Sequence, residues 1–431
     1  MTEDSNTQVS EFAKMKKTII TCVAGSALDW YDFAIYGFFA TIIGRLFFPS
    51  GDEFQQMIAS FGVLASGLIA RPLGAIMFGY IGDRFGRKKS LIISIYLMAI
   101  STAVMGLLPT YEQVGAWSGI SLTVIRILQG LALGGSFTGT MVFLYEHSSA
   151  SRKATYSAWA PFSLVTGFIL GAMVATIMSK IFDDAQLQSI GWRIPFILSF
   201  LGTFVAECVK HKLEDPKEFI EQQKKEEVKP PKEGLLRNLI TNHWKGMLLI
   251  IFTDILTACG YFLIAIFFTA YFETVIKLGR ETAFVIQTVN MTIFAGFILF
   301  AGWLSDRIGK RIQMIIACLS MVLLVYPLFN VIGNATFVSA LLGQLGIIFL
   351  FSMYYGPIPA TICSILPTKV RLMGVSLSHN LAMALFGAGT PALATYLIKW
   401  TNDPTVPALL FAVAAAVTAA GLFVWKEGKE Y

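Results

Sequence analysis

Residues 78–91 read FGYIGDRFGRKKSL, and residues 301–314 read AGWLSDRIGKRIQM. Gly79 aligns with Gly302, Asp83 with Asp306, Arg84 with Arg307 and Gly86 with Gly309. Each copy stands between two long apolar runs, so the same charged loop recurs in each half of the chain. A second echo joins SRKATYSAW (151–159) to KVRLMGVSLSHN (369–380), aligning Arg152 with Arg371 and Ser157 with Ser376. Duplicated halves of this kind are the build of many secondary transporters.

Composition tells which solvent the apolar runs face. The 431 residues are 55% hydrophobic and 14% charged, whereas an ordinary soluble domain has about 25% charged residues. A soluble chain this apolar would expose large greasy patches, so the class is integral membrane protein. The net charge of +6 does not point to nucleic acid. Lys and Arg sit in short segments between apolar runs, which is a membrane pattern and not a nucleic-acid-binding face. The five cysteines and four histidines show no metal-ligand spacing. No phosphate-binding glycine loop and no nucleophile–base pair is found. The expectation is therefore no enzyme, no metal and no cofactor.

A spanning helix needs about 20 mostly apolar residues, and in lipid its backbone groups must pair within the helix. That rule places twelve helices at roughly 18–46, 57–80, 90–109, 117–146, 156–179, 193–209, 246–273, 283–303, 312–331, 336–363, 372–398 and 405–425. Basic residues set the orientation. Lys14, Lys16, Lys17, Arg84, Arg87, Lys88, Lys89, Arg152, Lys153, Arg307, Lys310, Arg311, Lys369, Arg371, Lys426 and Lys429 fall on one side, with the charged loop 210–245. The other side holds Lys180, Arg193, Lys277, Arg280 and Lys399. The bias places both termini in the cytoplasm. The expected organisation is a tail (1–17), a six-helix half (18–209), a linker (210–245), a second six-helix half (246–425) and a short tail (426–431). Within the linker, Leu235–Ile240 reads as an amphipathic helix on the membrane surface.

Intramembrane polar residues are the candidates for function. The first run contains GSALDWYDFAIYGFF (25–39), in which Asp29, Asp32 and Tyr36 recur at i, i+3 and i+7 and so share one helical face. A charge in hydrocarbon costs roughly 2.5–3.5 kcal/mol on insertion scales, so this face should meet a cavity or a partner helix. A partly desolvated carboxylate there can bind and release a proton in the physiological range. The bland alternative is that either Asp hydrogen-bonds a neighbouring helix or orients its companion. Arg126 is the natural countercharge and Gln129, one turn on, can share its ligand; the alternative is a fixed interhelical salt bridge. Gly130, Gly134, Gly135 and Gly139 form a packing ladder. Asp254, Thr257 and Tyr261 repeat the i, i+3, i+7 spacing and line either a cavity or a helix contact. Tyr354 and Tyr355 precede Gly356-Pro357-Ile358-Pro359, where a helix should bend. These tyrosines either face substrate or pack. Arg45 and Arg71 are placed outside the pocket.

GYIGDRFGRKKSL resembles the signature loop of the major facilitator superfamily, and the second-half copy resembles that superfamily's weaker repeat. RILQGLALGG (126–135) is similar to its second motif. With GSALDWYDFAIYGFFA (25–40) and ILPTKVRLMGVSLSHNLAMALFGAGTPALATYLI (365–398), the chain resembles the metabolite:proton symporter branch, which includes proline/betaine, shikimate, citrate and α-ketoglutarate permeases. The resemblance implies an all-α membrane protein of the major facilitator fold, with twelve transmembrane helices in two pseudo-symmetric six-helix halves. It also implies import of a small polar metabolite with protons, by rocking of the halves around a central site. Proton coupling is then expected at Asp29, Asp32 and Arg126. Substrate contacts are expected from Tyr36, Gln129, Asp254, Thr257, Tyr261 and Tyr355. A cytoplasmic gate is expected from Gly79, Asp83, Arg84, Gly86, Arg87 and Lys88, with Asp306 and Arg307. Topology alone accounts for the basic residues of that loop but not for the recurring acid at Asp83 and Asp306.

The departures from the branch pattern narrow the candidates. Gly25-Ser26 and Asp29 stand where Gly-Asn and Glu are usual, Ser136 and Ser364 replace two usual glutamates, and His379 replaces a common aromatic. Asp29 and Asp32 are left as the coupling carboxylates. The substrate stays open between a zwitterion such as proline or betaine and a small organic acid. A membrane sensor that binds a metabolite without moving it, and a facilitator without proton coupling, are the alternatives. The expected partners are a small-molecule substrate and the lipid bilayer, with no nucleic acid and only the proton as coupling ion. The resemblance further implies a monomer in a bacterial inner membrane.

Overall fold

The computed structural model describes residues 19–200 and 234–431, apart from residues 21, 38 and 50–52. The tail 1–17, Cys208 and most of the linker lie outside the described residues. Among the described residues, nine helices are long and apolar enough to cross a membrane. The chain divides into two compact units, Met1–His147 with Ser163–Pro230 and Ser148–Phe162 with Pro231–Tyr431.

In the first unit, α1 covers residues 22–37 and α2 is Ala40–Phe47. Backbone hydrogen bonds from Phe39 N to Ile35 O (3.0 Å) and from Ile43 N to Phe39 O (2.9 Å) carry one helix into the other. Together they make the span expected at 18–46. Glu53–Phe85 (α3), Arg87–Leu107 (α4) and Trp117–His147 (α5) follow, with α3 and α4 both lying along α5. The α3–α5 seam is set by glycine. A Cβ on Gly130 would lie 2.0 Å from Gly67 O, and one on Gly134 would lie 2.1 Å from Arg71 O. No side chain fits there, so the two backbones touch, as small residues permit between membrane helices. Gly139 is different, since its Cβ would meet only Leu91 Cδ1 at 4.0 Å.

Lys153–Ser157 (α6) belongs to the second unit, and Trp159–Ile181 (α7) starts there and continues in the first. Arg193–Leu198 (α8) begins the span expected at 193–209, of which residues beyond 200 are outside the described set.

The second unit contains Leu235–Asn242 (α9), Trp244–Phe262 (α10), Arg280–Ile308 (α11), Lys310–Ile332 (α12) and Phe337–Tyr355 (α13). It closes with Ile358–Ile365 (α14), Arg371–Ala382 (α15), Thr390–Thr401 (α16) and Pro407–Val424 (α17). π-helical turns extend α10 to Glu273 and join α15 to α16. Of the apolar stretch in Trp244–Glu273, 72% is buried, against 33% in Lys310–Ile332. The α10 span is thus interior to its unit, while α12 keeps most of its surface for lipid. Near Pro357, where a bend was expected, the regular helix is interrupted only at Gly356 and Pro357, which keep helical dihedrals, and α13 and α14 form one span from Phe337 to Ile365. In α9, Leu239 is fully buried, and a Cβ on Gly374 would lie 2.9 Å from its Cδ1. Leu239 therefore turns to the protein, while Ile240 is exposed.

The repeated loop has one physical cause in both copies. Gly86 (φ 114°) caps α4 and Gly309 (φ 94°) caps α12. Both lie in the left-handed region that only glycine enters without strain.

Candidate functional site

In the first unit, α1 turns Asp29, Asp32 and Tyr36 inward, with exposures of 3%, 3% and 0%. Arg126 on α5 is 2% exposed, and its guanidinium carbon lies 3.6 Å from the centroid of the Tyr36 ring. That is close face-on stacking, favourable for a desolvated guanidinium. Arg126 Nη1 donates to Gln129 Oε1 (2.8 Å), and Gln129 Nε2 donates to Thr102 Oγ1 (2.6 Å). Thr102 stands beside Asp32, whose Oδ1 accepts from the Ser199 hydroxyl. Three helices and the segment after α8 thus share one polar chain: Arg126, Gln129, Thr102, Asp32, Ser199. Asp29 stands beside Asp32 and beside Ser136 of α5.

Arg126, read as the countercharge to the acids of α1, makes no direct ion pair with them. Among the described residues, no carboxylate oxygen lies within the 4.0 Å of an ion pair from Arg126, and the connection to Asp32 runs through Gln129 and Thr102. Arg126 Nε and Nη2 are buried with no hydrogen-bond partner. A buried donor left unsatisfied costs about 1–3 kcal/mol, and a bound carboxylate would offset that cost. The fixed salt-bridge alternative for Arg126 has no support in this geometry.

In the second unit, α10 places Asp254 (0% exposed) and Thr257 (1%) in its interior. Asp254 Oδ2 lies 2.5 Å from Nδ1 of His379 on α15. Thr257 Oγ1 is 2.9 Å from the Tyr354 hydroxyl, which donates to Thr253 O at 2.5 Å. Tyr354 therefore ties α13 to α10. Tyr355 stacks on Phe294 and Phe351, with Tyr261 6.4 Å away between ring centroids. These six expected contacts thus fall into two clusters, one per unit: Tyr36 and Gln129 in the first, Asp254, Thr257, Tyr261 and Tyr355 in the second.

The loop residues separate into two kinds. Arg87 is buried and ion-paired to Asp83 and to Glu146, with Nε 3.2 Å from Glu146 Oε2 and Nη2 3.4 Å from Oε1. Asp306 accepts from the backbone N–H of Ala154 (2.9 Å) and Thr155 (2.7 Å) and from the Thr155 hydroxyl (2.6 Å). A carboxylate at that helix start satisfies orphan N–H groups and meets the positive end of the dipole. Arg84 lies over Tyr80 and Phe85, and Arg307 lies 3.9 Å over Trp303; both are exposed and stack on rings of their own helix. Gly79 is buried within α3 and Lys88 is half-buried.

A family model described as "Sugar (and other) transporter" matches residues 17–430. The chain belongs to this family of the major facilitator superfamily. Its members are transporters, not enzymes, and the chain is a multi-pass membrane protein. It is 30% identical over 418 residues to the glycine betaine/proline/ectoine/pipecolic acid transporter OusA of Dickeya dadantii, covering 95% of this chain and 83% of that one. It is 29% identical over 410 residues to the proline/betaine transporter of Escherichia coli K12, covering 94% and 82%. In fold it matches the proton:xylose symporter XylE bound to 6-bromo-6-deoxy-D-glucose, with a TM-score of 0.81, 19% identity and 97% of each chain covered. At that identity the likeness speaks for the fold alone, and the all-helical major facilitator architecture is established.

Sequence reasoning missed several members of the two clusters. Thr102 and Ser199 are far from their partners in sequence, and lone hydroxyls are common in membrane helices. Arg71, set apart from the pocket, is 4% exposed with its guanidinium 5.7 Å from the Trp30 ring. Its charge inside an apolar run was the available signal. His379 was seen only as a departure from the branch, although a histidine in a spanning helix carries the same warning.

Proposed function

We propose that this protein is a proton-coupled symporter that imports a small zwitterionic osmolyte, with proline and glycine betaine the first candidates, by alternating access. The observation that carries this reading is the buried Arg126 guanidinium, stacked on Tyr36, with Nε and Nη2 unpartnered and two carboxylates in the same cluster. A zwitterion offers a carboxylate to Arg126 and a cationic nitrogen to an acid or an aromatic face. Asp29 and Asp32 take up and return the coupling proton. Tyr36 and Gln129, with Asp254, Thr257, Tyr261 and Tyr355, contact substrate during the cycle. The relatives' transport of proline and betaine supports the substrate class.

Gly79, Asp83, Arg84, Gly86, Arg87 and Lys88, with Asp306 and Arg307, form the cytoplasmic gate. The six-helix halves 18–209 and 246–425, joined by the 210–245 linker, are the moving parts. The protein works as a monomer in a bacterial inner membrane, with both termini in the cytoplasm.

Uptake of labelled proline and glycine betaine into proteoliposomes tests this. Accumulation above the outside concentration, driven by an inwardly directed proton gradient, is expected. Uptake that only equilibrates, whatever the gradient, makes the protein a facilitator. Binding without uptake makes it a sensor.

A further inference from the structure

Asp254 sits in the most enclosed span of its unit, with no exposed surface, and the one ion-pair partner within 4.0 Å of it among the described residues is His379. His379 is itself 2% exposed, and its Nδ1 lies 2.5 Å from Asp254 Oδ2. Asp254 Oδ1 is buried with no hydrogen-bond partner. A buried carboxylate requires compensation, and here the neighbouring base is an imidazole, the side chain whose charge changes near neutral pH. Arg87 shows the other solution in the same protein: a guanidinium between Asp83 and Glu146, permanently charged.

Among the described residues, no other charged side chain is ion-paired to Asp254: Lys245 of α10, and Arg237 of α9 and Lys399 of α16 on elements that touch α10, make no ion pair with it. From α13, Tyr354 and Tyr355 act on it, and Cys318 of α12 acts on Tyr354. Phenols and thiols of this kind are uncharged near neutrality in their ordinary state. On α10 itself the nearby groups are Tyr261 and Cys259, and on α14 the group is Cys363; all are of the same uncharged types. Arg371, on the helix that carries His379, is two turns away, donates to Leu366 O and lies 3.9 Å from Glu430. α17, which also packs on α10, contributes Thr418 but no titratable side chain.

We infer that Asp254 and His379 form a second proton-binding site, in the second unit, that loads and unloads during transport. The step balances simply. A neutral imidazole beside a carboxylate, with net charge −1, takes one proton from water to give a net-neutral pair with one proton in the Nδ1–Oδ2 contact. Release returns that proton to water. The inference rests on the reading of the protein as proton-coupled and adds a carrier beyond Asp29 and Asp32.

The test is nitrogen-15 magnetic resonance of histidine-labelled full-length protein in lipid bilayers across about pH 5 to 9. The His379 signal is identified by its loss in His379→Gln. The expected result is an imidazole that changes between neutral and cationic forms in this range, with the change displaced in Asp254→Asn. A His379 signal in one charge state throughout would overturn the inference and make the pair a static helix contact. In a second readout, proline or glycine betaine counterflow is followed against pH. The profile should shift in both His379→Gln and Asp254→Asn; a profile unmoved in either variant counts against the paired site. Magnetic resonance needs no transport, so it decides even if the proposed substrates are wrong. Likewise, proton flux that survives Asp29→Asn would remove Asp29 from the coupling scheme without touching the His379 titration.

Discussion

Arg126 is the residue on which the proposed substrate recognition rests. Its one neutral hydrogen bond to Gln129 and its stacking on Tyr36 hold the guanidinium in place without satisfying it. Lysine has no planar fork and stacks poorly, so Arg126→Lys is not conservative here. We expect substrate affinity to fall at least about tenfold, corresponding to 1.4 kcal/mol, with the protein still folded. Titration calorimetry checks this, and unchanged affinity would place the substrate's anionic group elsewhere. At this scale the sequence was a partial guide. Asp29, Asp32, Tyr36, Arg126 and Gln129 were legible, because charge and period 3.6 in a membrane run admit few readings. That Arg126 reaches Asp32 only through Gln129 and Thr102 was not legible, because it depends on the depth at which α4 crosses α5. Ser199, 167 residues from Asp32, was beyond any local pattern.

Between elements, packing and capping carry the account. A side chain at Gly134 would meet the Arg71 carbonyl, whereas at Gly139 it would meet only the end of Leu91. Gly134→Leu should therefore separate α3 from α5 and abolish folded protein, while Gly139→Ala should leave the melting temperature within a degree or two. Thermal unfolding in detergent distinguishes them. The glycine ladder was legible as a packing device, but which rungs touch was not, since that depends on how α3 and α5 cross. Asp306→Ala should cost about 0.5–2 kcal/mol, the usual cost of a lost N-cap, by releasing Ala154 N and Thr155 N. A melt unchanged in Asp306→Ala would show that these bonds add nothing in the membrane. The interruption at Gly356-Pro357 was legible from proline chemistry alone. The extension of α10 through π turns had no such marker.

At the scale of the whole molecule, the duplicated loop carries most of the argument. It marks two related halves, and its glycine recurs because Gly86 and Gly309 must both enter the left-handed region. It could not show that the two copies do different work. Asp83 shares a buried guanidinium with Glu146, while Asp306 holds a helix start. Sequence identity between the copies conceals this asymmetry, which arises from what each loop packs upon. The same asymmetry runs through the polar clusters: a guanidinium, Arg126, stands in the first and an imidazole, His379, in the second.

Proton movement on addition of substrate reports coupling itself. Proteoliposomes holding a pH-sensitive dye would receive proline, glycine betaine, shikimate, citrate or α-ketoglutarate in turn, with Asp29→Asn protein alongside. The account predicts acidification of the lumen on adding proline or glycine betaine, and its loss in Asp29→Asn. Labelled substrate accumulating with no change in lumen pH, or acidification undiminished in Asp29→Asn, would contradict it.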